Sequence, residues 1–333
     1  IQALLLLRQN FELGLLKKGK GISLNGELVQ LGNAKDLLYQ YAKTKDVGID
    51  IQELDHTPVE WKWNCKTEQD FLPLKKRSGD MDTLFKSSLF GSDFHYLSAE
   101  RLGPRVFFET SNYNVIDRNH LGIQGEYTAN YLSEFQNTDI PIKELSHPGT
   151  SGLTLREQVN AWLGEIRPGT RIDVTGNPDL SLVGIKYQFI GGSDTGNRFR
   201  PTNVGFGLSF LLPVLVALLS SKPGTLLILE NPEAHLHPRG QAEIGKLLAL
   251  AAAKGVQIIV ETHSDHILNG IRAAVKQGQI KPRQTNLLFF HGEVIEDRFK
   301  HYILNPKIDK NGRIDRWPEG FFDEWDRQLN ELL

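Results

Sequence analysis

A chain of 333 residues with 40% hydrophobic and 23% charged side chains is long enough for a large core and for two or three lobes, in the manner of a globular protein. The net charge of −2 excludes a global field that would draw it to nucleic acid or membrane, leaving only a local basic face open. One cysteine, Cys65, excludes an internal disulfide framework and fits a reducing cytoplasm, and the longest apolar run, 208–219, is short of the roughly 20 residues that span a bilayer.

The chain begins Ile1-Gln2-Ala3-Leu4, and its one methionine is Met81. Residues 1–12 place apolar side chains on one broad helical face with no N-cap before them, so a core helix is expected whose true start lies upstream of Ile1. Residues 17–21 read as a solvated basic turn. Residues 22–31 alternate around Asn25-Gly26, a hairpin signal, and 47–54 and 59–63 read as further strands. Lys75-Lys76-Arg77 reads as a charged loop. Residues 1–93 are thus expected to form a strand-rich lobe.

A middle lobe is expected over 94–202. A short strand at 94–97 runs into Ser98-Ala99-Glu100-Arg101-Leu102-Gly103-Pro104-Arg105, either a structural ion pair or a contact for phosphate or a partner. Thr154 and Glu157 have the spacing of a capping box for a helix over 154–163. Residues 171–175 and 182–190 alternate as a strand pair, followed by a turn at 191–194.

The segment 203–290 carries the chemistry. Asn203-Val204-Gly205-Phe206-Gly207-Leu208-Ser209 precedes an apolar helix at 210–219. Glycines let a backbone approach a ligand, and a helix N-terminus suits phosphate, though a tight turn into a buried helix explains the same residues. Leu226-Leu227-Ile228-Leu229 then runs into Glu230-Asn231-Pro232-Glu233-Ala234-His235-Leu236-His237-Pro238. A short apolar run ended by a breaker is the pattern of a buried parallel strand, and acids at its carboxyl end lie where open α/β sheets bind ligands. After a helix at 241–253 the pattern recurs: a strand at 256–260, then Glu261-Thr262-His263-Ser264, a helix at 265–277 and a strand at 286–290. This alternation predicts a parallel α/β unit. A C-terminal extension over 291–333 holds strands near 294–304, a turn at 309–312, Trp317-Pro318-Glu319-Gly320-Phe321-Phe322-Asp323 and a final helix.

A nucleoside triphosphatase needs a phosphate cradle, a magnesium ligand, a group that polarises water and a γ-phosphate sensor. Glu230 fits the magnesium-side acid, His263 the sensor, and Gly205, Gly207 and Ser209 a second phosphate-contacting loop. In this order the residues resemble the ABC-type ATPases of the RecF, SMC and overcoming-lysogenization-defect (OLD) group, in the branch that ends in a Trp-Pro-x-Gly-Phe-Phe-Asp domain of unknown function. The resemblance implies an α/β P-loop NTPase fold of ABC-ATPase type, with a strand-rich N-terminal lobe, a mixed middle insertion and a small C-terminal α+β extension. It makes Glu230 to Pro238 the Walker B and D-loop, Glu261 to Ser264 the switch-histidine loop, and Asn203 to Ser209 the signature loop. It further implies ATP and Mg2+ as cofactors and a cytoplasmic homodimer or higher oligomer that switches an effector protein or a DNA or RNA contact, as in DNA repair or phage defence.

Two departures stand out. No Gly-x-x-x-x-Gly-Lys-Ser/Thr occurs in this sequence, so the phosphate cradle is expected upstream of Ile1. The family's catalytic glutamate falls at Asn231, an amide that cannot act as a base. Either Glu233 takes over, or hydrolysis is slow and the protein is a nucleotide-sensing scaffold.

Overall fold

The computed structural model describes residues 1–52, 57–65, 68–191, 196–295 and 298–332. Contacts divide it into two units, Ile1–Phe94 and His95–Leu333. Among the described residues no helix is long and apolar enough to cross a membrane.

In the first unit the helix Gln2–Glu12 buries Leu5, Leu6 and Leu7, and also Arg8, Gln9 and Asn10. Buried polar groups need partners, and these three tie the helix to the chain around it. Asn10 exchanges two hydrogen bonds with the main chain of Ser23, at 2.7 and 2.9 Å. Arg8 Nη1 donates to Leu89 O and Gly91 O. Four antiparallel strands follow in the order Gly21–Ser23, Phe71–Ser78, Val59–Asn64, Asp46–Ile51. Trp61 and Trp63 lie stacked and fully buried beneath them. Cys65, just beyond the third of these strands in chain order, is buried, and its N–H donates to Lys45 O at 2.8 Å.

Two sequence expectations fail here for identifiable reasons. Asn25-Gly26 does not make the hairpin turn, because Gln9 Oε1 accepts the N–H groups of Leu28 and Val29. The turn moves on to Glu27-Leu28, closed by Gly26 N–H to Val29 O at 2.9 Å, and the pairing shrinks to an Asn25–Gln30 bridge. Lys75-Lys76-Arg77 is not a loop but part of the strand Phe71–Ser78. A register shift at Lys62/Trp63 leaves Lys75 as the extra residue, and a bulge of this kind disguises the alternation. The strand expected at 47–54 is seen as Asp46–Ile51, with residues 53 and 54 outside the described residues.

In the second unit the central sheet has the order Gln257–Glu261, Leu226–Glu230, Phe94–Leu97. The first two strands are parallel, with Glu230 opposite Glu261. The helix Pro238–Ala253 connects them, and the helix Asp265–Lys276 packs against it. These two helices touch backbone to backbone: a Cβ at Gly270 would overlap Ala242 O and lie 3.0 Å from Gly245 Cα. The strand expected at 286–290 is not part of this sheet. Phe289–Ile295 pairs antiparallel with Arg298–Leu304 as a separate ribbon, and its His, Gly and Glu interrupt the apolar run that a doubly covered parallel strand requires.

A second sheet holds Phe108–Glu109, Leu182–Phe189 and Thr170–Asn177, with Arg198–Phe199 on the middle strand. Ile172, Val183, Ile185 and Tyr187 point into one core with the helices Leu155–Ile166 and Phe206–Ser220. The capping box forms as expected, with Thr154 Oγ1 accepting from Glu157 N and Glu157 Oε2 accepting from Thr154 N. The turn expected at 191–194 falls outside the described residues from 192 onward. A smaller core gathers Leu268, Val275, Ile280, Ile308, Ile314 and Phe321. Asp309 turns the chain there by accepting the N–H groups of Asn311 and Arg313, at 2.8 Å each. Trp317 packs on Phe321 and under Arg272.

Candidate functional site

Leu226 to Leu229 are buried on both faces, and the polar residues begin where the strand ends. Asn231 takes φ 43, a left-handed conformation that Asn tolerates better than most residues. Its N–H still donates to Glu261 O at 2.9 Å, so the chain leaves the sheet only after one further bond. Ala234 N–H donates to Asn231 O and Leu236 N–H to Glu233 O, which folds 231–236 into a tight turn. That turn sends the Glu233 side chain to the neighbouring strand end. Glu233 Oε1 accepts the His263 N–H at 2.9 Å, and Oε2 is buried with no hydrogen-bond partner.

The carboxylate of Glu230 is held from the other side. Its Oε2 accepts the Ala99 N–H at 3.1 Å, and the Tyr96 hydroxyl is hydrogen-bonded to it. Burial raises the Tyr96 pKa, and the Glu230 charge and hydrogen bond add to the effect, so this phenol stays protonated. Arg101, only 4% exposed, donates from Nη1 to Glu230 O at 2.6 Å and Ser98 O at 3.0 Å, and from Nη2 to Asn231 O. Burial pulls its pKa down to about 10 against the opposing pull of Glu233 and Glu230. The guanidinium also lies over the Phe210 ring, 5.6 Å from its centre. Sequence reasoning marked the 98–105 loop but did not single out Arg101. An arginine two residues before Gly-Pro was the only signal there.

His263 is exposed, with Nε2 3.0 Å from Glu261 Oε1. Its loop is fixed by Ser264, whose hydroxyl caps the helix Asp265–Lys276 through Ile267 N and donates to Gln241 Oε1 at 2.6 Å. Glu230, Asn231, Glu233 and His263 therefore meet at one end of the parallel pair. The other expected residues do not join them. The apolar helix starts at Phe206, not 210, which draws Gly207 and Ser209 into its first turn. Ser209 Oγ is buried and lines a small cavity with Thr128 and Tyr187. Gly207 is needed for packing, because a Cβ there would lie 2.5 Å from His235 O. Asn203 and Gly205 remain exposed at the helix start. His235 rests its ring on Phe210 and His237 caps the helix Pro238–Ala253; among the described residues no group of three or more His, Cys, Asp or Glu could hold a metal.

Residues 107–269 match the family model described as "AAA domain, putative AbiEii toxin, Type IV TA system", and residues 280–332 match "Protein of unknown function (DUF3696)". The chain thus joins an AAA domain to a DUF3696 domain, the combination that the resemblance to the ABC-type ATPases of the RecF/SMC/OLD group implies. It has the mixed α/β, ABC-ATPase-like P-loop NTPase fold of that group. Among solved structures this ABC-type ATPase chain is similar to an SmcHead bound to the C-winged helix domain of ScpA, at 14% identity and TM-score 0.45 over 83% of this chain and 78% of that one. It is also similar to the SMC head domain from Thermotoga maritima, at 11% identity and TM-score 0.36 over 86% and 82%. No curated protein matches the chain.

Proposed function

We propose that this ABC-type ATPase binds ATP with Mg2+ and hydrolyses it, as a homodimer or higher oligomer in the cytoplasm, to switch contact with an effector protein or with DNA or RNA in repair or phage defence. Its working parts would follow the boundaries 1–93, 94–202, 203–290 and 291–333. One observation carries the reading: Glu233 spans the two strand ends, bonded through one oxygen to the His263 main chain and leaving the other unpartnered. A carboxylate so placed is a candidate base for water, a role worth about 10²–10⁴-fold. Glu230 would hold the magnesium ion, His263 would sense the γ-phosphate, and Asn203 and Gly205 would meet phosphate at the helix start. The ion, when bound, would neutralise charge on the phosphates. Asn231 shapes the turn between the acids through its backbone. Ser209 drops out of the set because its hydroxyl faces inward.

The test is ATP hydrolysis by the full-length protein beside Glu230→Gln and His263→Ala, where equal rates in all three would sink the assignment. Asn231 favours a second reading, a nucleotide sensor that turns over little. Tight ATP binding with turnover indifferent to Glu233→Gln would select it.

A further inference from the structure

We infer that Arg101 is a positioning residue that locks the Glu230–Asn231 turn and, through it, the loop carrying His263; the inference deepens the ATPase reading and rests on it for its catalytic consequence. The two nitrogens of one planar fork bond two successive carbonyls at the point where the strand ends. Glu230 is the last residue in register with the neighbouring strand, and Asn231 just beyond it takes the left-handed conformation. Asn231 O is shared with Ala234 N–H, so moving the guanidinium loosens the first bond of the 231–236 turn. That turn aims Glu233, and Glu233 holds the His263 N–H. A path therefore runs from Ser98 O through Arg101 to Asn231 O, along the main chain of the turn to Glu233, and on to the His263 N–H.

The site is also incompletely satisfied in a telling way. Arg101 Nε and Glu233 Oε2 are both buried, oppositely charged and without hydrogen-bond partners. Burying such atoms costs free energy, and the attraction between the two opposite charges offsets part of it. Lysine could keep the charge but not the fork, because an ammonium is a compact point donor that does not match two carbonyls in one plane.

The experiment compares wild type, Arg101→Lys and Arg101→Met in the full-length protein, by amide hydrogen exchange, thermal unfolding and ATP turnover. Exchange at Asn231, Ala234, Leu236 and His263 should quicken by about tenfold or more in both variants, with the rest of residues 95–333 unchanged. Where wild type hydrolyses ATP, kcat should fall on the order of 10²-fold with KM little changed, as expected of a group that aims others and does not hold substrate. Unchanged local exchange overturns the inference. So does exchange raised throughout the unit with a lower Tm, which is a general structural role, or full recovery by lysine, which assigns the effect to charge alone. If wild type hydrolyses nothing, the ATPase reading fails while the exchange arm still decides the role of Arg101.

Discussion

Gly270→Ala should destabilise the protein although alanine is the better helix former. In the interior of an unencumbered helix the exchange gains about 1 kcal/mol. Here the new Cβ would overlap Ala242 O and sit 3.0 Å from both Gly245 Cα and Lys246 N. All three obstacles are backbone, so no side-chain rotation relieves them and the helices Pro238–Ala253 and Asp265–Lys276 must separate. Overpacking of this kind costs about 1–3 kcal/mol, occasionally more, and with no soft neighbour the upper part of that range applies. The net loss is about 1–2 kcal/mol, and at roughly 2–4 °C per kcal/mol for a unit of this size Tm should drop by roughly 2–8 °C. The control is Gly164→Ala in the helix Leu155–Ile166, where the nearest atom to the new Cβ is Thr170 O at 3.8 Å. With open space the propensity gain survives, and Tm should rise by roughly 2–4 °C. Differential scanning calorimetry of both variants decides the matter. A Gly270→Ala protein melting at or above wild type would refute the close backbone contact.

Ser264→Ala removes both the cap on Ile267 N and the bond to Gln241, and urea unfolding should register a loss of about 1–2 kcal/mol. Gly207→Ala should lower Tm and slow turnover together, since the Cβ pushes on His235 O and the overpacking costs about 1–3 kcal/mol. Glu157 should give a pH signature. Hydrogen bonds from the Thr154 hydroxyl and N–H hold its carboxyl below the ordinary value of 4.5. The folded pKa is the lower one, so the contribution is complete above 4.5 and is lost as pH falls through the folded value. The Tm gap between wild type and Glu157→Gln should therefore close in acid, and parallel Tm curves down to the acid limit would count against the capping box.

Local features were legible in the residues. Apolar runs ended by polar breakers marked the parallel pair, and the spacing of Thr154 and Glu157 marked a helix start. What sequence missed depends on distant partners. Gln9 displaces the 25–30 turn by taking two N–H groups, and Lys75 hides a strand because it is a bulge residue. Glycines at 205 and 207 look like loop, yet the helix starts at Phe206, and the His235 turn lies close against Gly207 in its first turn. Ser209 then falls on the inward side of a helix that is apolar almost throughout. Arg101 acts across 129 residues on Glu230, a contact no local pattern announces.

Cys65 gives the molecule a built-in stopwatch. It is the one thiol in the chain, 6% exposed, and burial followed by the Asp46 charge makes it a poorer acid than an ordinary cysteine. A thiol reagent should label it slowly, and only when the sheet that carries Trp61 and Trp63 opens. The labelling rate then times excursions of Ile1–Phe94 alone, because His95–Leu333 holds no sulfhydryl to answer.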